Sequence, residues 1–158
     1  MNKFISNTIA GVAIMATLLL AASCSDDDNE YKQYLTKGNT PMPEWQSQEP
    51  DYGLFEQTMA VQVGLQTMLL PYASEADLMC ATIGGEVRAV TALGRTGGQI
   101  YFPLVIAGHS SDAMVSIHYY CAQLQRIYSV NDWQPFKPGF PPTNGGALYI
   151  PPFIPEVQ

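Results

Sequence analysis

Residues 78–92 read LMCATIGGEVRAVTA: an apolar run, two adjacent glycines, and a second run in which apolar and polar residues mix. Two consecutive residues at positive φ are what the mirror-image two-residue turns demand, and glycine takes that conformation without steric cost. The stretch therefore predicts a β-hairpin of Leu78–Ile83 and Glu86–Ala92 around Gly84-Gly85. Outward from it the same signature repeats. QTMAVQVGLQ (57–66) alternates, with Met59, Val61, Val63 and Leu65 on one face and Ala60, Gln62, Gly64 and Gln66 on the other. QIYFPLVIA (99–107) follows another Gly-Gly, and Pro103, which cannot donate to a ladder, predicts an edge or a bulge there. In AMVSIHYYC (113–121), Val115, Ile117, Tyr119 and Cys121 point one way and Ser116, His118 and Tyr120 the other. Arg126–Val130 and Ala147–Ile150 read as two shorter strands.

About seven short strands, with no convincing helix among them, predict an all-β fold. The architecture expected is an antiparallel β-sandwich, Ig-like or jelly-roll-like. Residues 45–158 suffice for one core and are too few for two. The closing stretches PFKPGFPPTNGG and PPFIPE are too rich in proline for regular structure and are expected to wrap the sandwich end.

Ahead of this domain the chain changes character twice. Residues 1–23 carry one base, Lys3, then the uncharged stretch IAGVAIMATLLLAA (9–22) and small residues, the pattern of a secretory leader. That stretch is shorter than the roughly 18 apolar residues of a membrane-spanning helix. Residues 24–44 are polar, hold Gly38, Pro41 and Pro43, and begin with the acidic block SDDDNE (25–30). They read as a disordered tether that, as a coil, would hold the domain on the order of 25 Å from a membrane.

Leu20-Ala21-Ala22-Ser23-Cys24 resembles the lipobox of bacterial lipoproteins, with Ala21 where leucine is more usual. The resemblance implies cleavage before Cys24 and acylation of its sulfur and new amino terminus, several chains anchoring stably where one would not. Acids directly after such a cysteine resemble the export signal that sends lipoproteins of the Bacteroidota to the outer face of the outer membrane. A second resemblance lies in the domain itself. Trp45, Tyr52, Met59-Ala60-Val61, Asp77-Leu78, Ile83-Gly84-Gly85-Glu86-Val87-Arg88-Ala89-Val90, Tyr101-Phe102, Gly108, Ile117-His118-Tyr119-Tyr120-Cys121, Ile127-Tyr128 and Asp132-Trp133-Gln134-Pro135-Phe136 follow in that order. Together they are similar to a β-sandwich module of secreted and surface proteins of the Bacteroidota. That module's usual pattern includes a D-x-x-A-A-F-x-G-x-E-C-R-G-V-A hairpin and a later F-x-Y-Y strand. Val87 stands where the module often has cysteine, and Ala89 where glycine is usual. The resemblance covers roughly residues 45–155; it implies fold and location and brings no activity with it.

Charge narrows the partners. Residues 24–158 carry all fourteen acids but only six of the seven bases, a net charge near −8. Nucleic acid and an anionic membrane surface, which both select basic patches, are not expected partners. Cys80 and Cys121 are a disulfide pair in an exported protein or two buried thiols, and the sequence leaves both open. His109, Asp112 and His118 are the one combination of metal-ligand types, but their spacing gives no ligand pair, and neither metal nor cofactor is expected. Ser110-Ser111 beside His109 lacks any nucleophile-elbow pattern. Glu86 and Arg88 read as an exposed ion pair of little worth. Among Asp77, Glu86, Asp112 and Asp132 no spacing selects two acids for glycoside hydrolysis. Tyr120, sharing a face with Ser116 and His118, and Trp133 in the loop Asn131–Gln134 are the aromatics expected to contact a ligand, with core packing the alternative for Trp133. The expected function is a non-catalytic surface lipoprotein on the outer membrane facing the exterior. It would bind or assemble with a protein or glycan and meet the membrane through its lipid. The alternatives are a structural spacer without ligand and a small hydrolase.

Overall fold

A computed structural model of the chain describes residues 32–139 and 148–157. The leader, Cys24, the acidic block and residues 140–147, with most of the proline-rich closing stretch, lie outside the described residues.

Eight strands form two antiparallel sheets packed face to face, an all-β sandwich. In chain order they are β1 (Gln57–Val63), β2 (Leu78–Ile83), β3 (Glu86–Ala92), β4 (Gly94–Thr96), β5 (Gln99–Gly108), β6 (Met114–Cys121), β7 (Arg126–Pro135) and β8 (Ile154–Pro155). One sheet runs β1-β5-β4 and the other β3-β2-β6-β7-β8. The chain changes sheet where β3 runs on into β4, and the Gly97-Gly98 turn returns it as β5. The β2–β3 hairpin turns at Gly84 (φ +59°) and Gly85 (φ +83°), the conformation that the paired glycines predicted. At Pro103 β5 pairs with β1 alone, since β4 reaches no further than Tyr101, so the proline sits on a locally exposed edge as expected.

Period two sets the core. Met59, Val61, Val63, Phe102, Leu104 and Ile106 of one sheet meet Met79, Ala81, Ala89, Val115, Ile117 and Tyr119 of the other, all buried. At the centre the Tyr119 ring touches Phe102 edge-on (5.5 Å), Tyr128 (6.0 Å) and Phe153 (5.9 Å). Phe153 precedes β8, so the stretch PPFIPE supplies a core ring and a short strand rather than an irregular wrap alone. Tyr149 makes a bridge to Val63 in place of the strand expected near 147–150.

Residues 32–44 are not the free tether expected of them. Lys32–Leu35 form one helical turn, and Tyr34 stacks on Tyr128 with centroids 5.3 Å apart. The Tyr34 hydroxyl is shared between Gln66 Oε1 and the Phe153 carbonyl. The chain then crosses the outer face of the five-stranded sheet. Gly38 N donates to Leu124 O (2.8 Å), Thr40 N to Gln125 O (3.0 Å), and the Tyr120 hydroxyl to Thr40 O (3.3 Å). A 3-10 turn at Trp45–Gln48 ends the crossing, its Trp45 ring 6.3 Å from that of His118. Tyr34, Leu35 and Trp45, a few backbone bonds, and side-chain bonds from Tyr120, Arg126 and Tyr128 to strap carbonyls hold this strap, which leaves no periodicity in sequence to reveal it. No helix among the described residues is long and apolar enough to cross a membrane.

Candidate functional site

The strap decides the fate of several predicted site residues. Tyr120 does lie on the outer face of β6, but it is 4% exposed because the strap covers it, so it presents no ring to a ligand. Trp133 is half-buried and packs edge-on against Tyr149 at 4.8 Å, in contact with the core. Its ring is thus largely engaged within the fold. Cys80 and Cys121 are free, buried thiols. The register explains why they cannot meet. Cys80 pairs with His118 and shares the outer face, whereas Cys121 belongs to the inner row with Tyr119, on the other side of the sheet. Burial pushes the Cys80 thiol up to about 12 and raises that of Cys121, so both are protonated and unreactive.

His109 and His118 are likewise apart, and among the described residues no group of three His, Cys, Asp or Glu side chains could hold a metal. His118 sits mid-strand under Trp45. Its Nε2 lies 3.1 Å from Thr82 Oγ1, and its Nδ1 lies 2.7 Å from Ser129 Oγ and 3.4 Å from Glu156 Oε1. Glu156 also accepts from the Ser129 hydroxyl. One neutral tautomer satisfies the row, with Nδ1–H toward Ser129 and Glu156 and Nε2 accepting from Thr82. The order hydroxyl–imidazole–carboxylate resembles a catalytic relay. Yet Thr82 is a β-branched residue near the end of β2, a strand paired on both sides, and neither of the two hollows described below includes it or His118. The row therefore fastens β8 to β6 and β7 across the sheet face. Burial lowers the His118 pKa, with Glu156 pulling the other way.

The pair read as a surface ion bridge is something else. A β-bulge falls between Ala81 and Thr82 of β2, which pair with Ala89 and Val87, so Arg88 is the extra residue. The bulge turns Arg88 inward at the rim of the sandwich, where its side chain is nearly buried. Nη1 donates to Asp112 Oδ2 (2.9 Å) and to Ala107 O (3.4 Å), while Nε and Nη2 donate to Glu86 Oε2 (3.2 and 3.0 Å). The Phe55 ring covers the guanidinium at 4.6 Å, and His109 lies 5.0 Å from the same ring. Asp112 Oδ2 also accepts from His109 N (2.7 Å). The knot ties together the β2–β3 hairpin, the loop after β5 and the segment before β1. A hollow of about 280 Å³ opens beside it, lined in part by Gln48, Asp51, Leu54, Phe55 and Glu86. Nothing in the sequence marked Arg88 as buried; the register shift that turns it inward appears only once the strands are paired.

The two outer faces of the sandwich differ most. That of the five-stranded sheet lies under the strap. That of the three-stranded sheet is open: Thr58, Ala60 and Gln62 of β1 and Pro103 and Val105 of β5 are exposed. The 3-10 turn Tyr52–Leu54 borders it, with the Tyr52 hydroxyl donating to Val105 O at 3.2 Å. Leu54 is 72% exposed and Val105 47%. Large apolar side chains thus lie bare at this sheet face and its border.

Compared with family models, curated proteins and solved structures, the chain finds no match.

Proposed function

We propose that the chain is a lipid-anchored, non-catalytic display module that binds a partner protein through the open face of its three-stranded sheet. The observation that carries this reading is the asymmetry of the two outer faces. The chain covers one with its own strap and leaves the other with Tyr52, Leu54 and Val105 exposed. The lipobox-like stretch ending at Cys24 and the following acids support anchorage at the outer face of the outer membrane, in keeping with a surface lipoprotein of the Bacteroidota. A protein partner is favoured over a glycan because the barest side chains here, Leu54 and Val105, are aliphatic, and the rings of Tyr120 and Trp133 are engaged within the fold. Apolar side chains flanked by paired strands suit a protein surface better.

The test places a photocrosslinking residue at Leu54 and, separately, at Val105 in the full chain, in its native membrane. The same adducted protein from both positions, with none from the distant Gln123, supports the reading. No adduct at either position would return the module to a spacer role. The anchor is tested apart from this: Cys24→Ser should move the protein from the membrane to the soluble fraction, and unchanged retention would sink the lipoprotein reading.

A further inference from the structure

The end of the sandwich where the described chain begins carries a second apolar feature. The first helical turn, the loop after β1 and the segment before β8 enclose an open hollow of about 610 Å³, lined by Leu35, Gln66, Met68, Pro71, Tyr72 and Ile150 among others. Ile150 is 55% exposed, and Leu70 beside it in sequence to Pro71 is also exposed. Charge at this end is mixed, since Asp26, Asp27, Asp28 and Glu30 lie just ahead of it in sequence. Lys32 and Lys37, on either side of Leu35, are exposed. Of the acids nearby, Asp77 is wholly buried and Glu75 lies 3.8 Å from Arg95. The opposite end is acidic at its surface, with Glu49, Asp51, Glu56 and Glu86 all exposed or nearly so.

Chain length says what meets the apolar end. Only residues 25–31 separate Cys24 from Lys32. Fully extended, that interval spans at most about 28 Å, and as a coil about 15 Å. Since the strap is folded onto the domain, an acylated Cys24 keeps this end within that reach of the lipid. We propose that the Leu70–Ile150 rim rests on the bilayer surface, its apolar side chains at the headgroup boundary. This deepens the anchored reading and rests on it. A patch of this size would not hold a free protein on a membrane. Tethering changes that, because the anchor has already supplied the encounter and the patch has only to select an orientation. The acidic end then points away from the bilayer, and the open face of the three-stranded sheet stands clear at its side.

The experiment uses the full lipidated protein in vesicles of phosphatidylethanolamine and phosphatidylglycerol. An environment-sensitive fluorophore is attached to Leu70→Cys, Ile150→Cys or Glu49→Cys, and quenching by a nitroxide-labelled lipid is read. Cys80 and Cys121 stay unlabelled because they are buried. Intact mass of each sample reports acylation at Cys24, and two positions at the rim guard against local disturbance by either label. Quenching at 70 and 150 roughly twofold or more above that at 49, in acylated protein, is expected. Equal quenching at all three in acylated protein would overturn the docked orientation and leave the anchor standing. Protein without acyl chains at Cys24 would overturn both.

Discussion

Each end of the sandwich is closed by a buried charge, and the two are neutralised in different ways. At the end where the chain enters, Asp77 is wholly buried and meets no cation. Its Oδ1 accepts from Ser74 Oγ (2.8 Å) and Ala122 N (2.9 Å), and its Oδ2 from Ser74 N (3.0 Å) and the Tyr119 hydroxyl (2.7 Å). At the other end Arg88 is held by carboxylates, of which Glu86 stands 68% exposed and Asp112 13%. Neutral donors fixed in a fold cannot turn to water when their acceptor is lost. An exposed carboxylate can. Asp77 is therefore an organiser of its end, and Arg88 a clasp one of whose partners, Glu86, can turn to water.

That contrast predicts an order of effects. Asp77→Ala strands the Tyr119 hydroxyl at the core centre and two backbone N–H groups, and should cost about 3 kcal/mol or more in urea denaturation. A loss under about 1 kcal/mol would mean that water reaches the site and the contrast fails. Arg88→Ala should cost about 2 kcal/mol, drawn from the Asp112 arm and the Phe55 contact. Glu86→Ala alone should cost under about 1 kcal/mol, because that arm is largely in solvent. Equal losses for Asp77→Ala and Arg88→Ala would remove the distinction between the ends. Near the Arg88 end, Gly108 sits beneath the Phe136 ring, whose atoms would stand 2.5 to 2.8 Å from an added Cβ. Gly108→Ala should cost about 1.5 kcal/mol, part of it recovered when Phe136→Leu makes room.

The strands and their inner rows were legible because alternation in sequence and burial in the fold obey one period. The hairpin at Gly84-Gly85 keeps both of its expected boundaries. What escaped had no period to betray it. β4 is three residues long, and the strap is fixed by Tyr34, Leu35 and Trp45, too few and too unevenly spaced to make a period. Tyr120 was read correctly as facing outward from β6 but wrongly as exposed, since exposure depends on a segment eighty residues away in sequence. Arg88 looked like a surface residue because a bulge shifts register by one, and side-chain parity with it. The open face of β1 and β5 was half legible. Ala60 and Gln62 stood in the row opposite the apolar one, but Thr58 and the border formed by Tyr52 and Leu54 went unread.

The smallest effect expected concerns the covered face, the counterpart of the open one. His118 is desolvated there, with Thr82, Ser129, Glu156 and the Trp45 ring around it, and its pKa in the fold lies below the usual value of 6.5. A base with a lower pKa folded than unfolded binds fewer protons in the fold. Its contribution to stability is therefore complete above the unfolded pKa and declines as pH falls through that value toward the folded one. Between about pH 7.5 and about pH 5.5 the urea midpoint of the protein should fall more steeply than that of His118→Gln, which cannot titrate. A midpoint that rises on acidification would mean that the attraction of Glu156 outweighs desolvation. The strap over this face would then tighten in acid instead of loosening, reversing the direction argued for the covered face.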